Sequence, residues 1–212
     1  LKVSALKKKY EHLLVQRQIS YGKERSKAGF STVMMTGELD LLTMMKANQA
    51  ISSEIQLEKL LPRILRVVIE SAGADKAAFI GLHLDQWMIE AEATTMEDEL
   101  RFNILPSTLS KSNQLPEGLI TYTIRSGTPE VIGDMMKDER YAKLPYVLEH
   151  KPKSALCLPI IRDNKVIAVL YLENNLTTQA FTPDRVQLLQ ALSTQIAISL
   201  ENARYLEHTQ QL

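Results

Sequence analysis

The stretch Ser154-Ala155-Leu156-Cys157-Leu158-Pro159-Ile160-Ile161-Arg162-Asp163-Asn164-Lys165-Val166-Ile167-Ala168-Val169-Leu170-Tyr171-Leu172-Glu173 decides the fold. Two apolar runs flank Asp163-Asn164, a pair that tolerates positive φ, so residues 154–162 and 165–173 read as an antiparallel hairpin. Downstream, Thr182 is placed to cap a helix, Pro183 falls at its first position, and apolar residues follow from Val186 to Leu206. That helix has about six turns and projects roughly 35 Å.

Upstream the elements are shorter. Residues 141–150 hold a short helix within an irregular stretch, 134–153. Residues 128–133 are a brief strand, and Glu117 to Ser126 is a helix closed by Gly127. Residues 106–116, with two prolines, are a loop. Glu99 to Leu105 is a weak strand. Ala77 to Leu84 and Trp87 to Ala93 pair about an Asp85-Gln86 turn. Helices cover Leu39 to Ile51 and Leu57 to Ala72, the second with Pro62 early in it and Gly73 beyond its end. Hairpins without crossover helices do not suggest a doubly wound parallel sheet, and the expected class is α+β with a central antiparallel sheet.

Residues 1–19 show a helical period through Val3, Leu6, Tyr10, Leu13 and Leu14 and read as the tail helix of a preceding domain. Residues 20–37, rich in Gly, Ser and Thr, read as a linker, and the main domain as 38–212. The chain opens on Leu1 rather than Met, as a piece of a longer protein would. It has 212 residues with 25 basic and 25 acidic side chains, a balance that argues against nucleic acid and against a polybasic membrane anchor. No apolar run approaches the ~20 residues of a membrane span. A single cysteine, Cys157, excludes an internal disulfide and suits a reducing, cytoplasmic location. None of the eight glycines falls into a phosphate-loop spacing.

Four blocks carry a family resemblance: Leu39-Asp40-Leu41-Leu42-Thr43 with Ala50-Ile51-Ser52; Lys153-Ser154-Ala155-Leu156-Cys157-Leu158-Pro159-Ile160; Leu170-Tyr171-Leu172-Glu173-Asn174-Asn175 with Ala180-Phe181-Thr182-Pro183-Asp184-Arg185; and Ala197-Ile198-Ser199-Leu200-Glu201-Asn202-Ala203-Arg204. Together they resemble the GAF domains of large bacterial and fungal signalling kinases, over roughly residues 39–206. Leu6-Lys7-Lys8-Lys9-Tyr10 resembles the end of the helical region that precedes such a domain. The resemblance implies a sheet of about six strands, terminal helices on one face and pocket-covering loops and short helices on the other. It implies a parent with serine/threonine-kinase-like and ATPase-like domains ahead and a histidine kinase or cyclase behind. The fragment itself is then a regulatory sensor rather than an enzyme.

The family's pocket would be covered by residues 105–126 and 134–153. The expected ligand-binding residues are Phe102, Gly118, Leu119, Tyr122, Asp134, Arg140, Tyr141, Tyr146, Ser154 and Cys157. The start of the 117–126 helix would aim free N–H groups at a ligand. Cyclic-nucleotide GAF domains resemble one another in an Asn-Lys with Phe-x-x-x-Asp-Glu; here Asn174-Asn175 and Phe181 are present, but Lys is absent and Arg185-Val186 occupy the acidic positions. That alternative therefore lacks its Lys–Asp pairing. Cys157 is followed by Leu158, without the Cys-His pair of bilin-binding relatives, so no bilin is expected. One cysteine also cannot complete the relay of a free methionine sulfoxide reductase; it reads as a small buried hydrophobe. The scattered His12, His83, His150 and His208 offer no metal pair. Haem is not expected, although His150 would be its ligand. Asp134, Asp138 and Tyr141 are the nearest groups to a catalytic set, without a nucleophile–base spacing. Trp87 is expected beneath a terminal helix.

The last helix carries one apolar stripe through Val186, Leu189, Ser193, Ile196, Leu200 and Ala203 and a neighbouring one through Leu188, Leu192 and Ser199. The expectation is a parallel homodimer through Leu41, Met44, Met45, Leu188, Leu192, Gln195, Ser199 and Leu206. The remaining expected partners are an unidentified small molecule and the flanking domains of the parent; a ligand-free dimerisation module is the alternative.

Overall fold

The computed structural model describes residues 29–104, 106–109 and 114–210, with side chains from 41 to 209 apart from the gaps. The expected helix at 1–19 and the first part of the 20–37 segment lie outside these residues. The chain divides into two compact units, residues 1–45 and 46–212. The first, where described, is helical: α1 runs Gly29–Ser52, beginning ten residues before the expected Leu39. The Gly29–Gly37 stretch is thus helix rather than irregular linker. Once a helical nucleus exists, each added residue gains a hydrogen bond, and this outweighs modest local propensity.

The second unit holds α2 (Leu57–Ala72), β1 (Lys76–His83), β2 (Gln86–Met96), β3 (Glu99–Asn103), β4 (Ser107–Thr108), α3 (Glu117–Ser126), β5 (Glu130–Ile132), α4 (Pro145–His150), β6 (Ser154–Arg162), β7 (Lys165–Asn174) and α5 (Pro183–Gln210). The sheet order is β3-β2-β1-β7-β6-β5, all antiparallel, with β4 beside β3 on the same edge of β2. The α+β class and antiparallel sheet are as read from the sequence.

The turns explain the register. Asp163 and Asn164 take φ of 48° and 62°, closing β6–β7 as expected, and Glu97-Asp98 do the same at 51° and 66° between β2 and β3. The β1–β2 turn falls on Leu84-Asp85, one residue earlier than expected. Gly73 and Gly127 end α2 and α3 at φ of 66° and 63°, each donating its N–H four residues back. Pro62 lies at the sixth position of α2, past the first turn, so α2 loses one internal rung. The Thr182 carbonyl accepts the Val186 N–H at 3.0 Å, and Pro183 opens α5.

Each face of the sheet has its own core. On one face Ala77, Phe79, Leu156, Leu158, Leu170 and Leu172 pack against α2, α5 and the last two turns of α1, through Leu60, Ile64, Leu189, Ile196, Ala47 and Ile51. On the other, Ala78, Ile80, Cys157, Val169 and Tyr171 meet Leu119, Ile120, Met135, Tyr146 and Val147 from the covering segments. The period-two alternation of the strands divides these two sets. Trp87 packs half-buried on the covering-segment side, not beneath a terminal helix.

Candidate functional site

Helix α3 turns Leu119, Ile120 and Thr123 into the core. That leaves Glu117, Gly118, Thr121, Tyr122 and Arg125 for its outer side. There they line a groove of about 590 Å³, whose other walls are Leu144, Pro145 and Tyr146 at the start of α4 and Leu109, Leu115 and Pro116 from the preceding loop. Leu144 packs over Gly118; a Cβ there would lie 3.4 Å from Leu144 Cδ2, ordinary van der Waals contact, so the approach does not depend on glycine. The volume falls within the about 300–1,000 Å³ usual for small-molecule sites.

Tyr146 joins this groove to a buried polar layer. Its hydroxyl donates to Glu173 Oε2 at 2.7 Å, and the Tyr171 hydroxyl donates to the same oxygen at 2.7 Å. Asn175 Nδ2 donates to Glu173 Oε1 at 3.3 Å. Lys76 Nζ donates to the Gln114 carbonyl at 3.1 Å and to the Tyr146 hydroxyl oxygen at 3.2 Å, and pairs with Glu92 at 3.5 Å. Burial, reinforced by the Glu173 charge, pushes both tyrosines well above the ordinary phenol range. They therefore stay protonated and act as donors. Three donors satisfy a carboxylate that is only 3% exposed.

Glu173 in turn adjoins the segment that sets α5. Asn174 Nδ2 donates to the Gly73 carbonyl at 2.8 Å, while its Oδ1 accepts the N–H groups of Leu176 and Thr177. Arg185 donates to the Ala180 carbonyl at 2.7 Å, and its guanidinium lies against Gly73. These residues occupy the positions compared above with a cyclic-nucleotide signature, and their polar atoms tie α2, β7 and α5 together.

The expected ligand-binding residues separate. Gly118, Tyr122 and Tyr146 line the groove, with Leu119 buried directly behind it. Phe102 does not: its partner across β2 is Ala93, and it packs on the helix side under the Arg66 guanidinium, 5.5 Å from the ring centre. Ser154 is fully buried and donates to the Thr177 carbonyl at 3.1 Å. Asp134 pairs with Lys137 at 3.3 Å. Arg140 bridges Glu130 and Asp138 at 3.2 Å each and covers the Tyr141 ring. These charges are engaged with one another, and the partner on β5, Glu130, could not be foreseen from the local sequence. Burial raises Asp138, but the Arg140 hydrogen bonds and charge outweigh it and hold the carboxyl below its usual range.

Cys157 lies at 0% exposure in mid-strand beside Thr123, and burial pushes its thiol up to about 12. His150 stacks on Tyr146 with ring centres 4.3 Å apart, and its Nδ1 meets the Tyr146 carbonyl at 3.1 Å. Among the described residues no three His, Cys, Asp or Glu side chains gather as a metal site. No helix among them is long and apolar enough to cross a membrane.

The expected dimer residues also separate. Leu192 and Ser199 are buried in this chain's own core, because the two stripes of α5 merge into one wide face through Leu189, Leu192, Ile196, Ser199, Leu200 and Ala203. Leu188, Gln195 and Leu206 are half-buried; Leu41 and Met45 are exposed and Met44 half-buried.

Comparison with known proteins agrees with this architecture. The GAF domain family model matches residues 56–200. Hybrid signal transduction histidine kinase G of Dictyostelium discoideum is 39% identical over 94 residues, which cover 44% of this chain and 3% of that much longer kinase. Among solved structures, the GAF domain of an Acinetobacter phosphoenolpyruvate-protein phosphotransferase superposes with a TM-score of 0.62 at 21% identity, covering 79% of this chain and 95% of that one. A free methionine-R-sulfoxide reductase from Neisseria meningitidis, in complex with its substrate, does so at 0.56 and 14% identity, over 80% and 93% of the two chains. Fold, register and family match together establish that this chain belongs to the GAF domain family.

Proposed function

We propose that this chain is the regulatory, ligand-sensing module of a multidomain signalling kinase, and that it binds rather than converts its ligand. The observation that carries this reading is the double position of Tyr146. Its ring walls the groove, and its hydroxyl holds Glu173 beside the Asn174-Asn175 segment that leads to α5. A ligand that shifts Tyr146 would alter the bonds on Glu173 and thereby the seating of α5. Such a relay needs a ligand with different affinities for two positions of the tyrosine. Similarity to a histidine kinase supports a signalling parent, with the flanking domains as partners. The buried, weakly acidic Cys157 supports binding over redox chemistry.

The test is a thermal-shift panel of nucleotides, haem and small metabolites, followed by native mass spectrometry. A binder should raise the melting temperature in proportion to the logarithm of its concentration. Tyr146→Phe should still bind it, while losing the ligand-induced change in hydrogen exchange along α5. If no compound shifts the protein and none remains bound, the reading fails.

One observation favours a second reading, a ligand-free dimerisation module. The space between the sheet and its covering segments is filled by the chain's own Tyr146, Tyr171, Met135 and Leu119, so the groove opens on the outer side of that cover. Full stability without any binder, together with a concentration-dependent dimer, would support it.

A further inference from the structure

The groove is electrically polarised along its length. Glu117, Thr121 and Arg125 recur every four residues along α3, so they stand in one row. Eight residues of helix separate the acidic from the basic end by about 12 Å. Both charged residues line the groove, and neither has a hydrogen-bond or ion-pair partner among the described residues. This contrasts with Asp134, Asp138, Arg140 and Glu130 nearby, which are all paired with one another or with Lys137. Between the two ends lie the Tyr122 ring and, across the groove, Pro145 and Tyr146. The order of the charges also suits the helix dipole, with the acid in the first turn and the base in the last. The helix's own partial charges, positive at its start and negative at its end, partly offset these side chains, so the groove's polarity is that of Glu117 and Arg125 themselves.

We infer that the groove takes an extended dipolar ligand: an ammonium group at the Glu117 end, a carboxylate at the Arg125 end, and an apolar or aromatic body between. This rests on the ligand-binding role proposed above. A free tripeptide with a central aromatic residue has this chemistry, since three extended residues span about 10 Å between the terminal charges. The guanidinium can take a carboxylate through two parallel N–H donors, while the Glu117 carboxylate accepts from the ammonium. The groove as a whole would not favour a uniformly anionic molecule, because Glu117 repels the part that lies at its end.

The probe is the tripeptide Ala-Phe-Ala with free termini, compared with its N-acetyl and C-amide forms by isothermal titration calorimetry at low salt. Each cap should weaken binding about twofold to fivefold, as expected for solvent-exposed charge pairs. Glu117→Gln should abolish the penalty of acetylation alone, and Arg125→Gln that of amidation alone; both lie on the exposed side of α3, and unchanged melting curves verify the fold. Equal affinity of free and capped peptides, or selectivity that survives both substitutions, would overturn the inference. So would failure of the free peptide to bind. In that case a panel compound lost in Tyr122→Ala but indifferent to Glu117→Gln and Arg125→Gln retains the groove as a site and removes only the dipolar ligand.

Discussion

Glu90 Oε1 lies 2.7 Å from Arg204 Nη2, so a carboxylate in the first hairpin holds the far part of α5. Glu90 is the extra residue of a β-bulge: Phe79 pairs with Ala91 and Ile80 with Ile89. The carboxylate is 4% exposed and also meets His83 Nε2 at 2.8 Å. It fits only because residue 81 is glycine; a Cβ there would overlap it, 1.6 Å from the Glu90 oxygen. Gly81→Ala should therefore displace the carboxylate and break the same contact that Glu90→Ala removes. Each should cost on the order of 1–3 kcal/mol, below the usual figure for a fully buried pair because Arg204 retains partial solvent access. The double variant should cost little more than either single one, since both act on one interaction. Urea unfolding of the three variants checks this; additive losses would sink the account.

Asp75 predicts a pH effect of opposite sign to most carboxylates. Burial raises its pKa, the Asn175 N–H bonded to Oδ2 at 2.7 Å works against the rise, and the nearby Glu173 charge adds to it. A folded-state value above the unfolded one means that the native state binds this proton more tightly. The stabilisation is then fully present below the unfolded pKa, about 3.9, and is lost as pH rises through the folded value. Asp75→Asn keeps an acceptor for the Asn175 N–H and removes the buried charge. At pH 7 it should be at least as stable as the parent, and its advantage should shrink as pH falls through the raised folded value and be gone below about 4. A variant that loses ground at pH 7 relative to pH 4 would contradict the sign.

These contacts mark the boundary of what a sequence discloses. Asp163-Asn164 between two apolar runs, Gly127 after Ser126, and Thr182-Pro183 are local chemistry, and the elements they bound are where the sequence puts them. Glu97-Asp98 closes an equally tight turn without glycine or asparagine, so β2 runs to Met96 rather than Ala93. Strand faces depend on such registers, and a one-residue slip reverses them; this is why Phe102 lies on the helix side. Gly118, Tyr122 and Tyr146, picked out from the sequence, do line the groove, but the groove lies outside the covering segments and not beneath them, where the sequence put the pocket; that space is filled by Tyr146, Tyr171, Met135 and Leu119. The Tyr146–Glu173 bond depends on elements far apart in sequence. A periodicity of four in α3 was the signal that could have brought Glu117, Thr121 and Arg125 together.

Cys157 should be chemically silent in the folded protein. Its thiol is fully buried and pushed up to about 12, so the thiolate fraction at pH 8 is roughly one in ten thousand. A disulfide-exchange reagent at that pH should leave native protein unmodified for hours and label one thiol promptly in guanidinium. Rapid native labelling would place the thiol in a solvent-accessible state and reopen a redox role.

The merged stripe of α5 separates residues that hold the domain together from those that a second copy could touch. Leu192 is fully buried among Leu189, Ile196 and the strands of the helix-side core. Leu192→Ala should therefore cost about 2–5 kcal/mol, as other large-to-small changes in packed cores do. Leu188 and Leu206 are half-buried on the same helix and can lose their side chains more cheaply. If the chain forms the proposed homodimer through α5, Leu188→Glu should raise the dissociation constant while the melting temperature of the dilute monomer changes little. Light scattering across a dilution series measures the first quantity and calorimetry the second. A chain that remains monomeric at every concentration removes the dimer, whatever Leu192→Ala does to stability.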